Sequence, residues 1–346
     1  MDLVQGRMKS CLLSALVLAG VGILAAGYYL RVNTIEVKMS RKRMKYILPN
    51  GIQSLVLTVK DVQDVQSFVF FVGYPRSGHS VLASMMDAHP NAILAHEFNL
   101  FPKLDSNHSL RSDRMSLYKA LYKNSYKQST QGWRSMNPAF QSKGYGLTLN
   151  NSLSWQGRYR RLRVIGDKSG GITARLYRSH GRRFTTLYKQ LSELVKVPIK
   201  VIHVVRNPYD MLATRLLYKF SDVKREKAHY TPYHPLNNPS NVTKAMMSLY
   251  SEAEAVLNMT KALQLDILEV HNVDFIRNPK EEMGNVCKFI GLQCSSGYLN
   301  MVARSTFNDL SITRRSVLWS DEARHFMKTK MLLLPFFKRY SYESSY

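Results

Sequence analysis

The sequence has few acidic residues for its length. Its 346 residues include 24 Asp and Glu against 49 Lys and Arg, a formal net charge of +25. Such an excess can simply keep a surface soluble, but it also indicates an anionic partner: nucleic acid, an anionic membrane, or a sulfated or carboxylated polymer. The sequence contains no zinc-finger spacing and no aromatic motif of the RNP type, so nucleic acid is disfavoured. The scattered histidines predict no metal site.

Cysteine is also rare, with three residues in the chain. Cys11 lies in an apolar run near the N-terminus, which leaves Cys287 and Cys294 for a disulfide within the chain. Their short spacing could close a small loop in an oxidising compartment, or both could be buried free thiols. The sequence leaves both alternatives open.

One long hydrophobic run is present, over Cys11–Leu30. Its 20 residues carry no charge, and this length spans a bilayer as a helix. We expect a retained transmembrane signal anchor. The alternative is a signal peptide that is cleaved after the small residues at 25–27.

Two features of the sequence disagree on the orientation of this anchor in the membrane. Lys and Arg are more numerous after the apolar run than before it, which favours a cytosolic body. Four glycosylation acceptor sequences favour a body in the secretory lumen instead. They begin at Asn107, Asn150, Asn241 and Asn258. We expect a single-pass type II protein with a luminal body.

The chain is expected to divide into five segments. A short tail over residues 1–10 precedes the anchor at 11–30, and a basic stem over 31–66 follows it. A single domain over 67–320 is long enough to bury a full-sized core, and residues 321–346 form a C-terminal tail.

The first strong strand leads into a glycine loop. Ser67–Val72 is an unbroken apolar and aromatic run, typical of a buried parallel strand, and residues 81–88 are typical of a helix. Between them, Gly73–Ser80 has the spacing G-x-x-x-x-G-x-S of a phosphate-binding loop. An ATP-binding loop would have lysine where this sequence has His79. The positive charge inside the loop is on Arg76 instead, so we expect a phosphate ligand other than ATP.

Further strands and helices alternate along the chain. They cover residues 162–165, 199–205, 209–220, 242–263, 267–270 and 279–290. This alternation predicts an α/β fold of the P-loop type, a central parallel sheet flanked by helices, with ligands at the carboxyl ends of the strands. The polar stretch over residues 105–160 is predicted to be a helical insertion or lid.

A second anion site is expected where the strand over 199–205 ends. Arg206 follows this strand directly, and Thr214 lies about two turns into the next helix. A guanidinium and a hydroxyl group suit a second phosphate. The alternative is that Arg206 only pairs with Asp210 and that Thr214 only packs.

Three segments together resemble the PAPS-dependent sulfotransferases. They are FVGYPRSGHS at residues 71–80, VRNPYD at 205–210, and DFI-x-NP with CKFIGL between 274 and 292. The segment MDAHP at 86–90, followed by Glu97, is similar to the Golgi membrane-bound branch that acts on carbohydrates and protein tyrosines. The resemblance covers about residues 67–320.

The resemblance implies which residues hold the donor PAPS, 3′-phosphoadenosine 5′-phosphosulfate. The loop would bind its 5′-phosphosulfate, through Arg76, Ser77, Gly78, His79 and Ser80. Arg206 and Thr214 would bind its 3′-phosphate. Residues 313–319 resemble a segment that closes over PAPS, so Arg314 or Arg315 would contact a phosphate. PAPS is used without a metal, which would explain the missing lysine.

The resemblance also implies catalytic roles. Glu97 would take the proton of the acceptor hydroxyl, with His96 as a rival base. The alternative is that Glu97 is only a surface or ion-pair residue. Arg76 and Lys168 would stabilise the charge on the leaving oxygen. A basic cluster near Lys168 is predicted to be either a solvated face or a track for an acidic acceptor. It comprises Arg158, Arg160, Arg161, Arg163, Arg175, Arg178, Arg182 and Arg183.

The sequence therefore predicts a membrane-anchored Golgi sulfotransferase that moves a sulfuryl group from PAPS to a hydroxyl of a glycan or a protein tyrosine. Its expected partners are an acidic glycan or protein acceptor and the membrane. Two other functions are considered: a P-loop kinase, which the missing lysine disfavours, and a non-catalytic basic protein that binds acidic glycans on a degenerate nucleotide fold.

Overall fold

The computed structural model describes residues 57–135, 154–219 and 238–344. The predicted anchor at 11–30 and the acceptor Asn150 lie outside these ranges. Within the described ranges, no helix combines the length and the apolar composition needed to cross a bilayer.

In the described ranges, the centre of the fold is a parallel sheet of five strands. The strands are β1 (Ser67–Gly73), β2 (Ala92–His96), β3 (Val164–Lys168), β4 (Ile199–Val205) and β5 (Ile267–His271). Their spatial order is β2-β3-β1-β4-β5, and every neighbouring pair is parallel. The predicted α/β fold with a central parallel sheet is confirmed.

Helices connect the strands and cover both faces of the sheet. In chain order they are α1 (Val59–Val62), α2 (His79–Asp87), α3 (Leu100–Ser106), α4 (His108–Ser112), α5 (Arg114–Gln131), α6 (Gly170–Val195), α7 (Pro208–Lys219), α8 (Pro239–Leu263), α9 (Asn272–Arg277), α10 (Pro279–Ile290), α11 (Ser296–Ser305) and α12 (Asp321–Leu333). Short 3-10 turns occur at Arg314–Ser316 and Pro335–Phe337.

The strand order brings three strand ends together. The connection from β1 leads to β2 on one side of the sheet, whereas β4 lies on the other side of β1. In an open parallel sheet, ligands bind in the crevice where successive connections diverge, outside the carboxyl ends of the strands. The ends of β1, β3 and β4 are therefore the place where the predicted site residues should meet.

The strand residues are buried on both faces. In β1, Phe68, Phe70 and Val72 belong to one hydrophobic cluster, and Val69 and Phe71 to the other. Alternate residues of a strand point to opposite faces, so an unbroken apolar run requires a cover on each side. This confirms β1 as a central buried strand.

Residues on either side of both predicted domain boundaries are part of the core. The compact unit that contains the sheet begins before β1 and continues past residue 320. Before β1, Leu57 and Val62 are buried in the main cluster, and after residue 320 so are Met327 and Phe337. These apolar residues stand isolated among many charges, so they formed no strong pattern in the sequence.

The polar stretch over 105–160 is not a lid in its described part. Helix α5 has Leu117, Tyr118 and Leu121 fully buried in the main cluster and packs along β2. Most of its polar residues lie on the outer face, and their number hid the apolar stripe. Residues 136–153 of this stretch lie outside the described ranges.

Candidate functional site

The loop between β1 and α2 forms an anion cradle. Backbone φ is positive at Gly73, at Arg76 (74°) and at Gly78 (98°), so the chain turns sharply before α2 begins at His79. Among the residues that the structure describes, no side chain caps the N-terminus of α2. The first N–H groups and the positive end of the dipole of α2 are thus available to an anion in front of the loop.

Ser77 adds an unsatisfied polar atom to this cradle. Its side chain is fully buried, and its hydroxyl oxygen lacks a hydrogen-bond partner in the part of the chain that the structure describes. Buried hydroxyl groups are normally hydrogen-bonded. An orphaned hydroxyl in a phosphate-type loop therefore indicates a ligand atom that satisfies it.

His79 occupies the lysine position without supplying a charge. Its side chain is 8 % exposed, and an added Cβ at Gly170 would come within 2.9 Å of its ring, so the start of α6 packs directly on it. Burial lowers the pKa of His79 well below its usual value, and the nearby charges of Lys168 and Arg76 lower it further. The imidazole is neutral at physiological pH.

Glu97 and Lys168 form an ion pair at the ends of β2 and β3. Register pairs His96 of β2 with Lys168, the last residue of β3, so Glu97 lies just beyond the strand end. The Lys168 ammonium donates to Glu97 Oε1. The Lys168 side chain is fully buried, whereas that of Glu97 is 50 % exposed. Burial lowers the pKa of Lys168, and Glu97 opposes this effect.

The backbone around Glu97 is held by the end of β3. Asp167 accepts hydrogen bonds from the N–H groups of Phe98 (3.0 Å) and Leu100 (3.1 Å), and the Glu97 N–H donates to the Lys168 carbonyl (2.9 Å). These contacts stabilise the positive φ of 51° at Glu97. Burial raises the pKa of Asp167 to about 6. Sequence reasoning missed this positioning residue, although it stands directly before Lys168.

His96 is placed less favourably than Glu97 as a base. Its side chain is 4 % exposed, and its Nδ1 lacks a partner among the described residues. Burial lowers its pKa strongly, and the charges of Lys168 and Arg134 lower it further. The half-exposed Glu97 is the group that an acceptor could reach from solvent.

Arg206 lies between the cradle and a C-terminal segment. Its guanidinium donates to the carbonyl of Arg76 (3.1 Å) and to that of Ser311. The alternative that Arg206 only pairs with Asp210 is wrong, because Arg314 makes that ion pair (2.5 Å). Burial lowers the pKa of Arg206, yet an arginine remains charged.

Thr214, like Arg206, contacts the segment around Ser311 and Thr313. Its hydroxyl donates to the Asp210 carbonyl (2.7 Å) and is 2.9 Å from the hydroxyl of Thr313. The structure therefore places Thr214 beside the segment that contains Ser311, and its phosphate contact stays a prediction.

Arg314 does not point toward the cradle. Its side chain is 2 % exposed, and it donates to Asp210 and to the carbonyls of Tyr342 (2.7 Å) and Ser344. The predicted phosphate contact of Arg314 is therefore corrected, since every side of its guanidinium is engaged within the protein. Arg315 is exposed, and its phosphate contact stays a prediction.

The basic cluster is partly neutralised by neighbours. Arg161 pairs with Asp64 (2.7 Å), Arg175 with Glu252 (3.5 Å), and Arg183 with Asp105. Arg178 donates to Ser251, and Arg158 to the Ser154 carbonyl. These contacts favour a solvated, salt-bridged face for several members. A track for an acidic acceptor stays a prediction for Arg160, Arg163 and Arg182.

The fold and the loop define an α/β protein with a central parallel sheet flanked by helices and an anion cradle at the end of its central strand. A model of the Sulfotransferase family matches residues 68–296, and the chain belongs to this family. Family membership excludes the P-loop kinase alternative. The Golgi branch is a finer assignment and is not part of this match.

Several solved sulfotransferase structures are similar to the chain. The sulfotransferase domain of an olefin synthase from Synechococcus PCC 7002 is 20 % identical, over 69 % of this chain and 78 % of that domain, with a TM-score of 0.39. A sulfotransferase from Mycobacterium avium is 11 % identical, over 82 % and 80 %, with a TM-score of 0.42. A mouse sulfotransferase solved with PAP is 13 % identical, over 82 % and 93 %, with a TM-score of 0.40. A comparison with curated proteins found no significant match.

Proposed function

We propose that the protein transfers a sulfuryl group from PAPS to a hydroxyl group of an acidic glycan or protein acceptor. The observation that carries the proposal is the Glu97–Lys168 pair beside a cradle that lacks lysine. A half-exposed carboxylate and a buried ammonium at one sheet edge are the groups that a proton acceptor and a leaving-group stabiliser require.

The cradle suits the donor. The uncapped N-terminus of α2 and the orphaned Ser77 hydroxyl fit the 5′-phosphosulfate, and Arg206 with Thr214 fits the 3′-phosphate. When bound, PAPS supplies an activated sulfuryl group, and it leaves as the 3′,5′-bisphosphate PAP. The described residues contain no cluster of side chains suited to a metal ion.

Glu97, Lys168 and Arg76 have different roles in the proposed reaction. Glu97 Oε1 accepts from Lys168, so we assign Oε2 to the proton of the acceptor hydroxyl. As the acceptor oxygen forms its bond to sulfur and the bond from sulfur to the leaving oxygen breaks, that proton moves to Glu97. Lys168 and Arg76 stabilise the negative charge that develops on the leaving oxygen.

Binding and transfer can be tested separately. Calorimetry should show that the purified protein binds PAP, and radiolabelled sulfate from PAPS should be transferred to one member of a panel of glycosaminoglycans, tyrosine peptides and small alcohols. Failure to bind PAP would favour the non-catalytic glycan-binding alternative. Transfer to the glycans alone would support a polysaccharide acceptor.

The role of Glu97 has a matched control in the same chain. Glu97→Gln should keep PAP binding and lose roughly 10²- to 10⁴-fold in transfer rate, the usual contribution of a positioned base. Glu193 is exposed on α6, away from the sheet edge, so Glu193→Gln should behave as the wild type. Unchanged transfer in Glu97→Gln would exclude this carboxylate as the base.

The location of the enzyme is part of the proposal. The structure joins Cys287 and Cys294 by a disulfide with a Cα–Cα distance of 6.1 Å. Structural disulfides persist in oxidising compartments, which supports a luminal catalytic domain and, with the predicted anchor, a Golgi membrane protein of type II. An endoglycosidase that shifts the mobility of the cellular protein would support the luminal orientation, and an unshifted, protease-accessible cytosolic body would contradict it.

A further inference from the structure

The residues Ser311–Ser316, here called the bridging segment, contact both residues of the proposed 3′-phosphate site. The Ser311 carbonyl accepts from Arg206, and the Thr313 hydroxyl lies 2.9 Å from that of Thr214. The geometry of Arg206 and Thr214 thus depends on where the bridging segment lies.

Arg314 fixes the bridging segment to the start of α7. Its backbone N–H donates to Asp210 Oδ1 (2.9 Å), and its guanidinium pairs with Asp210 Oδ2 (2.5 Å). The Thr313 hydroxyl donates to the Asp210 carbonyl (3.0 Å). Three bonds to one residue hold the segment four residues before Thr214 on the same helix.

The end of the chain completes this anchor. The Arg314 guanidinium donates to the carbonyls of Tyr342 and Ser344, and Asn207 Nδ2 donates to the Ser341 carbonyl (2.8 Å). The ring of Tyr342 packs edge-on against Tyr209, with 5.4 Å between ring centroids. The residues Ser341–Ser344, here called the C-terminal strap, therefore contact both the bridging segment and the beginning of α7.

We propose that Arg314 is a positioning residue through which the C-terminal strap holds Arg206 and Thr214 in their phosphate-binding geometry. The proposal rests on the proposed function, which assigns the 3′-phosphate to these two residues. It also gives a role to an arginine that sequence reasoning had placed on the phosphate itself.

The physical reason is the burial of Arg314. A guanidinium that is 2 % exposed must have its N–H groups satisfied, and two of its acceptors belong to the strap. Without the strap, those N–H groups must find water, and the bridging segment is held less firmly, by its bonds to Asp210 and Arg206. PAP binding must then order the segment again, and that ordering reduces affinity.

Two truncated chains distinguish the effect of losing the strap from the effect of shortening the chain. A chain ending at Tyr340 lacks the strap, whereas a chain ending at Ser345 keeps every strap contact described above. We expect the first to bind PAP roughly tenfold more weakly and the second to match the wild type. The Michaelis constant for PAPS should rise in the shorter chain, with kcat for a saturating donor unchanged.

A point variant covers the case in which the shorter chain folds poorly. Arg314→Lys keeps a positive charge beside Asp210 but cannot reach both strap carbonyls, so it should weaken PAP binding in the same direction. Arg304→Lys, on the exposed face of α11, is its matched control. Amide exchange in the bridging segment should rise for Arg314→Lys and stay unchanged for Arg304→Lys.

The outcomes distinguish this inference from the proposed function. If the wild type binds PAP and both the Tyr340 truncation and Arg314→Lys bind it equally well, the strap has no positioning role and this inference is wrong. If the wild type itself does not bind PAP, the sulfotransferase proposal fails and this inference fails with it.

Discussion

Replacing Gly78 by alanine perturbs the cradle at one atom, and the structure gives the size of the effect. Gly78 has a φ of 98°, which costs an L-residue about 1–2 kcal/mol. The added Cβ would also lie 2.5 Å from Asn272 Nδ2, so the Asn272 side chain must leave its rotamer at a cost of about 1 kcal/mol. We expect Gly78→Ala to lower the free energy of unfolding by about 2–3 kcal/mol.

A double-mutant cycle with Asn272 separates the two contributions. Asn272→Ala should recover about 1 kcal/mol in the Gly78→Ala background, because it removes the close contact but not the backbone strain. Gly284 is the matched control. It lies inside α10, and an added Cβ there would meet open space, so Gly284→Ala should be neutral or stabilise by about 0.5–1 kcal/mol.

Urea unfolding measures these stabilities, and calorimetry with PAP measures the cradle directly. Gly78→Ala should weaken PAP binding at least tenfold, since the first N–H groups of α2 no longer converge. A Gly78→Ala protein as stable as the wild type would refute the strain argument. Full recovery by Asn272→Ala would show that the contact alone mattered.

Three other predictions concern the sheet edge and the disulfide. Because burial raises the pKa of Asp167 to about 6 from 3.8, its stabilising contribution is complete below pH 4 and is lost as the pH rises through 6. Relative to Asp167→Asn, the wild type should lose on the order of 3 kcal/mol between pH 4 and 7 in urea unfolding, and parallel pH profiles would contradict this. Lys168→Met should keep or raise the melting temperature, because it removes a fully buried charge and leaves a carboxylate, Glu97, that is 50 % exposed to water. It should lower sulfate transfer roughly 10²-fold, and a strongly destabilised variant would show that Lys168 is structural. Cys287→Ser opens a loop with a sequence separation of 7 and should cost about 2–3 kcal/mol in the absence of reductant, whereas reductant should leave the variant unaffected.

The cradle was predictable because its signal is local. An apolar strand, a glycine loop and a helix follow one another within Ser67–Ala88, so periodicity and loop chemistry are enough. Strand ends were harder to predict. The strand predicted to end at 165 continues to Lys168, because polar residues at its end are buried at the site rather than exposed in a loop.

Contacts between distant residues could not be predicted from the sequence. Glu97 and Lys168 are 71 positions apart, and only the pairing of β2 with β3 brings them together. For Arg314, in contrast, the sequence predicted a contact that the structure does not contain. Arg314 lies in a segment that resembles one closing over PAPS, so it was expected to face the ligand. Its side chain is instead oriented by Asp210 and by the carbonyls of Tyr342 and Ser344.

The backbone is strained at two residues of the candidate site, Arg76 in the cradle and Glu97 after β2. Among the described residues, the non-glycine positions with positive φ include Lys196 and Gln264, which are ordinary helix C-caps. Arg76 and Glu97 have no such explanation, and each is tied to a neighbouring strand end: Arg206 donates to the Arg76 carbonyl, and the Glu97 N–H donates to the Lys168 carbonyl. Strain of this kind persists only where surrounding contacts over-determine it. The parallel sheet therefore does more than bring these side chains close together, because its strand ends also set the backbone conformation from which each proposed catalytic group projects.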